Sequence, residues 1–140
     1  MLYTYNTTSQ SVAVNGNVLF STNGIITGST ATHSAGTAEI SLNKPGFYMV
    51  TVNATVANPG DAAANITLEL FANGIAVNGA EATLTSTGAT DLGAMSFTAI
   101  IKVSPNCSCS TANVPTVLTV QNTGVASTVN NAAVTVTKLC

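Results

Sequence analysis

The side chains best equipped for covalent, metal or acid–base chemistry are three cysteines, one histidine and five carboxylates in a chain of 140 residues. Cys107-Ser108-Cys109 is the densest group, and Cys140 stands at the terminus. Two thiolates one residue apart, repeated by symmetry, could gather around a metal. Zinc sites, however, use a spacer of about two to four residues within one chain, so the spacing fits poorly. An odd cysteine count leaves one thiol over, which makes an interchain disulfide among Cys107, Cys109 and Cys140 the easier chemical reading. The flanks, Ser104-Pro105-Asn106 and Ser110-Thr111-Ala112-Asn113, are loop residues, so a plain loop is the reading with least chemistry in it.

His33 lies in a Gly/Ser/Thr-rich stretch with no second histidine, and is expected as an exposed loop residue. Among the acids, Asp61 and Asp91 fall at turns, Glu69 falls on the outer side of a strand, and Glu39 and Glu81 stand apart. A glycosidase needs two carboxyls about 5–9.5 Å apart across a cleft, and nothing in the spacing assembles such a pair. A calcium site needs about six to eight oxygens, more than two isolated acids supply. No nucleophile elbow and no Gly-rich phosphate loop is present. No catalytic, cofactor or metal site is therefore expected, and the chain reads as a non-enzyme.

The elements that would hold these residues are strands. Period-2 alternation of apolar and polar residues recurs along the chain, and no segment sustains a 3.6-residue period. Val12, Val14, Val18 and Phe20 share one side. After Pro45-Gly46, the side chains of Tyr48, Val50, Val52, Ala54 and Val56 share one face, and Met49, Thr51, Asn53 and Thr55 the other. Ile66, Leu68 and Leu70 alternate with polar neighbours. So do Met95, Phe97, Ala99, Ile101 and Val103, then Leu118 and Val120, then Ala132, Val134 and Val136. Asn73-Gly74 predicts a two-residue hairpin, because both positions tolerate positive φ. Asn78-Gly79 predicts a bend or bulge. Gly24, Gly28 and Gly36 cut residues 22–38 into a surface excursion. About eight strands with a turn every ten or so residues predict an all-β, antiparallel, two-sheet jelly-roll sandwich. Residues 12–140 form the expected domain, and residues 1–11 either an N-terminal arm whose Leu2, Tyr3 and Tyr5 attach to a larger particle or a neighbouring subunit, or an N-terminal strand packed on its own domain.

Charge is scarce: 6% of residues, against about 25% in an average soluble domain. With net charge −2 and only three cationic side chains, no phosphate-binding surface exists, which excludes a nucleic-acid partner. No run of 18 apolar residues is present, so no membrane insertion is expected. The N-terminus lacks the basic and apolar regions of a signal peptide. A surface so poor in charge is expected to be covered by other subunits.

The order of signals resembles the trimeric jelly roll of the tumour necrosis factor and complement globular-head superfamily. Asn17-Val18-Leu19-Phe20 matches its early strand. Leu42-Asn43-Lys44-Pro45-Gly46-Phe47-Tyr48-Met49-Val50 matches its "PG-x-Y-x-V" strand, and Leu68-Glu69-Leu70-Phe71-Ala72-Asn73-Gly74 its strand ending in a hairpin. The short, Thr/Asn-rich form without a collagen stalk looks like the head fibres and capsid decorations of bacterial viruses. The resemblance implies a homotrimer, with Tyr48, Val50, Phe97, Ile101, Val134 and Val136 expected at the trimer core. It implies a virion-surface protein of a phage head, assembled in the bacterial cytoplasm and partnered by the major capsid protein or another virion protein. Host surface glycans are a further expected partner, at loops around residues 29–36 and 104–113. A glycan-binding tail-fibre tip and a spore-coat or cell-surface protein are the alternative readings.

Overall fold

The computed structural model of the chain describes residues 1–105 and 114–140. Cys107 and Cys109, and any disulfide made through them, lie outside the described residues. Among those residues every regular element is a strand: β1 Leu2–Asn6, β2 Gln10–Val12, β3 Thr22–Ile26, β4 Ala31–His33, β5 Ile40–Leu42, β6 Gly46–Ala57, β7 Ala64–Ala72, β8 Ile75–Ser86, β9 Gly93–Val103, β10 Thr116–Asn122 and β11 Ser127–Lys138. They form two antiparallel sheets. One runs β3-β1-β11-β6-β9, with β2 also pairing β11; the other runs β4-β5-β10-β7-β8.

The long strands are where the alternation places them, and their inward sides make the core. Tyr48, Val50, Val52 and Val56 of β6, with Val134 and Val136 of β11, face Ile66, Leu68, Leu70, Leu118 and Val120 of the other sheet, all 0–1% exposed. Each such aliphatic side chain contributes about 1.5–3 kcal/mol on burial, so a core of small branched residues holds the sandwich without staples. The Asn73-Gly74 turn has φ of 50° and 77°, the double positive pair its sequence predicts. Asn78-Gly79 lies where the β7–β8 register shifts, between Glu69 and Phe71.

The structure corrects the sequence reading at its edges. There are eleven strands among the described residues, because short strands at the sheet margins carry too few residues to show alternation. Residues 12–20 are not one strand: a turn at Asn15 (φ 62°) leaves Val14 53% exposed, while Val12, Val18 and Phe20 stay buried. The stretch 22–38 is not a mere excursion, since it supplies β3 and β4. Residues 1–11 are not a separate arm. They hold β1, an interior strand between β3 and β11, and β2. Leu2 and Thr4 are both 0% exposed.

His33 is buried, not looped out. It clamps β4 of one sheet to β1 and β3 of the other. Its Nε2 donates to the Thr37 carbonyl at 2.9 Å, and its Nδ1 lies 2.6 Å from Asn23 Oδ1 and 3.2 Å from Thr4 Oγ1. Asn23 Nδ2 returns a bond to the His33 carbonyl at 2.9 Å. With both ring nitrogens engaged, His33 offers no lone pair to a metal.

Tyr48 is the largest fully buried side chain, and its hydroxyl donates to the Lys44 carbonyl at 2.6 Å. Burial pushes its phenol above the ordinary value of 10.0. The folded state therefore prefers the neutral phenol. This contribution is intact below pH 10.0 and is lost as pH rises through the raised value. Urea midpoints followed from about pH 8 to about pH 11 are expected to fall more steeply for the wild type than for Tyr48→Phe. At neutral pH the variant is about 1 kcal/mol less stable, for the lost hydrogen bond.

Candidate functional site

The outer face of the six-stranded sheet is built by the same alternation that fills the core. Residues between the inward ones point outward, and the ladder registers align them in rows. Tyr3, Thr135, Thr51 and Thr98 make one row; Tyr5, Ala133, Asn53 and Ser96 make the next. On the other side of the first row, Thr137, Met49 and Ile100 lie abreast, followed by Phe47 opposite Lys102. Phe47, Met49 and Ile100 are 41%, 37% and 55% exposed, a contiguous apolar patch.

Two pairs of polar side chains on this face are already bonded to each other. Thr51 and Thr98 share a hydroxyl bond of 3.0 Å, and Ser96 Oγ donates to Asn53 Oδ1 at 2.8 Å. Covering these two pairs would strand no hydrogen-bonding group within them, and stranded groups are the usual cost of burying polar surface. The Tyr3 and Tyr5 rings stack at 5.4 Å over Gly24, where a Cβ would lie only 2.8 Å from the Tyr3 ring. Glycine there is a packing requirement. Beside these rows, a small hollow of about 230 Å³ is lined by Asn53, Thr55, Ala94, Ser96 and Asn131.

Charge is segregated. No strand of the six-stranded sheet carries a carboxylate. Lys102 and Lys138 lie on that sheet beside the start of β6, and Lys44 just precedes it. Asp61 and Asp91 occupy loops at the far end, and Glu69 and Glu81 belong to the five-stranded sheet.

No protein-family model matches the sequence, and no curated protein is significantly similar to it. Among solved structures, the PRD1 vertex protein P5 is similar at a TM-score of 0.52 with 19% identity, over 99% of this chain and 96% of that one. The CBM35 from Cellvibrio japonicus Abf62 matches at a TM-score of 0.35 with 17% identity, over 98% of this chain and 96% of that one. The fold is a jelly-roll β-sandwich.

Within this jelly roll the residues expected at a trimer core are placed elsewhere. Tyr48, Val50, Val134 and Val136 are 0% exposed in the lone subunit, and Phe97 and Ile101 are 9% and 6% exposed. They pack between the two sheets, so they are the core of one subunit and not a surface shared by three. Leu2 is likewise buried and unavailable for attachment, whereas Tyr3 and Tyr5 are half-buried on the outer face. Cys140 is a free, exposed thiol.

The carboxylates do come together at one place the spacing did not reveal. Glu69 and Glu81 are directly opposite across β7 and β8. They lie on the open side of a sheet, where like charges facing each other are unfavourable. Asp91 closes a turn, accepting from the Thr87 N–H at 2.8 Å and the Thr87 hydroxyl at 3.1 Å. Asp61 is exposed in its loop. The residues the sequence reading missed are Phe47, Met49 and Ile100. The available signal was a large apolar side chain on the outward parity of a strand.

Proposed function

We propose that this chain is a non-enzymatic virion structural protein: a homotrimeric, tumour-necrosis-factor-like jelly roll displayed as a decoration or head fibre on the surface of a phage head. Three copies turn the outer face of the six-stranded sheet toward a threefold axis. The observation that carries this reading is that face: an apolar patch of Phe47, Met49 and Ile100 beside polar groups that satisfy one another. A contiguous apolar patch on a chain with 6% charge fits an interface better than a solvated wall. The virion setting is supported by the likeness over nearly the whole chain to a protein described as a vertex protein. The partner is the major capsid protein or another virion protein, met after assembly in the bacterial cytoplasm. The fold serves by shape and burial, without a cofactor.

Two measurements test it. Light scattering of the purified chain is expected to give three times the 14.0 kDa subunit mass. Antibody raised against the chain is expected to label the heads of particles purified from the source bacterium. A monomer at micromolar concentration, or purified particles without the chain, overturns the reading.

A further inference from the structure

We propose that the open face of the five-stranded sheet, on the opposite side of the sandwich, binds a neutral saccharide in a groove running along β10. The groove measures about 450 Å³, within the range of about 300–1,000 Å³ typical of ligand sites.

Its floor is the outward side of β10: Val117, Thr119 and Gln121. One wall carries Phe71, cross-strand partner of Thr119, and Asn73. The Asn73 turn is held against β10 by two bonds of 2.8 Å, from the Val117 N–H to Asn73 Oδ1 and from the Asn73 N–H to the Val117 carbonyl. The opposite wall is assembled from two segments that follow one another along the same edge of β10. Asn17 bridges Gln121, and Glu39 precedes Ile40, which pairs with Leu118.

The chemistry on these walls selects the ligand. Phe71 is half-buried and offers an apolar ring to the C–H face of a sugar. Around it stand a carboxylate, three amides and a hydroxyl, the donors and acceptors that ring hydroxyls require. Gln121 Nε2 is fixed by the Asn15 carbonyl at 3.1 Å. The side chains of Glu39, Asn17 and Thr119 have no hydrogen-bond partner among the described residues, so their capacity is unspent. The lining contains no cation and one acid, which disfavours phosphates and acidic sugars. A cationic ligand would meet a single carboxylate and leave the amide N–H donors unused. This site is independent of the trimer: it lies on the other sheet, and in the assembly proposed above it faces outward.

The test is a heteronuclear NMR titration of the full chain with lactose, maltotriose and chitotriose in turn. At least one is expected to shift the backbone amides of Phe71, Thr119 and Gln121 together. Phe71→Ala is expected to weaken that binding about tenfold or more, as removal of an aromatic anchor does. Asn17→Ala and Glu39→Gln, both at exposed positions where folding is not at stake, are expected to weaken it several-fold. Glu81→Gln makes the same charge change outside the groove and is expected to bind as the wild type does. The proposal is overturned if none of the three saccharides moves these amides, or if the shifts fall elsewhere. It is equally overturned if spermidine alone titrates the groove, or if Asn17→Ala and Glu39→Gln bind unchanged.

Discussion

Met49→Glu combined with Ile100→Glu is expected to leave the subunit folded and to convert the proposed trimer to monomers. The two side chains are cross-strand neighbours and point away from the core, at 37% and 55% exposure. Removing them opens no internal cavity, so the denaturation midpoint should move by no more than about 1 kcal/mol, the ordinary range for strand surface substitutions. Association is a different matter. Each interface would have to take up two carboxylates per subunit, while Lys102 is the one cation on the neighbouring row of that face, so at least one carboxylate has no partner within the subunit. Leaving a buried charge unpaired costs several kcal/mol, and a threefold axis repeats the cost in every copy. The apparent dissociation constant should rise by at least about a thousandfold, taking two anchor residues at ~2 kcal/mol each. Light scattering reads the outcome directly. A variant that remains trimeric with an intact fold would mean that subunits meet through another surface.

The two-sheet architecture was readable because alternation in β6, β7, β9, β10 and β11 is regular and the Asn73-Gly74 turn is unambiguous. What alternation cannot say is what lies beyond a buried face. Tyr48, Val50, Val134 and Val136 were correctly grouped on one side, but period 2 does not distinguish the inside of a sandwich from the inside of a trimer. Both are apolar. The outward residue Met49 was visible in the same strand, but its partner Ile100 is 51 positions away and becomes a neighbour only through the β6–β9 register. The short strands β3 and β4 were hidden for another reason. Runs of three to five residues are too short to carry a periodic signal, and their pairing comes from the sheets they join. The saccharide groove was hidden most completely, since Asn17, Glu39, Phe71 and Thr119 come from four separate segments. Composition misled as well. Thr, Ser and Asn are ordinarily exterior residues, but Thr4, Asn58, Ser86, Asn122 and Ser127 are buried, and among the described residues no buried side-chain nitrogen or oxygen lacks a partner.

That last point sets the second large expected effect, Asn122→Ala against Asn65→Ala. Both replace an asparagine in a strand by alanine, and by composition alone they are equivalent. Asn65 is exposed on β7 and accepts one bond, from the Thr85 hydroxyl at 2.7 Å. Its loss should cost about 0.5 kcal/mol or less, since water replaces the partner. Asn122 is 0% exposed at the end of β10. Its Nδ2 donates to the Val125 carbonyl at 2.7 Å, and to the Val12 carbonyl and Ser127 Oγ at 3.2 Å each. Its Oδ1 accepts from the Gly124 N–H at 3.1 Å. One amide thus closes the β10–β11 turn on itself and ties it to the end of β2. Alanine supplies none of these bonds, and the position is fully buried. At about 1–3 kcal/mol for each group left unpaired, the loss should reach about 3–5 kcal/mol. That is a large share of the roughly 5–15 kcal/mol that holds a domain together, and the melting temperature should drop by about 10 °C or more. Urea and thermal denaturation of the two variants side by side measure the difference. Equal midpoints would mean that the buried asparagine is not what pins the turn.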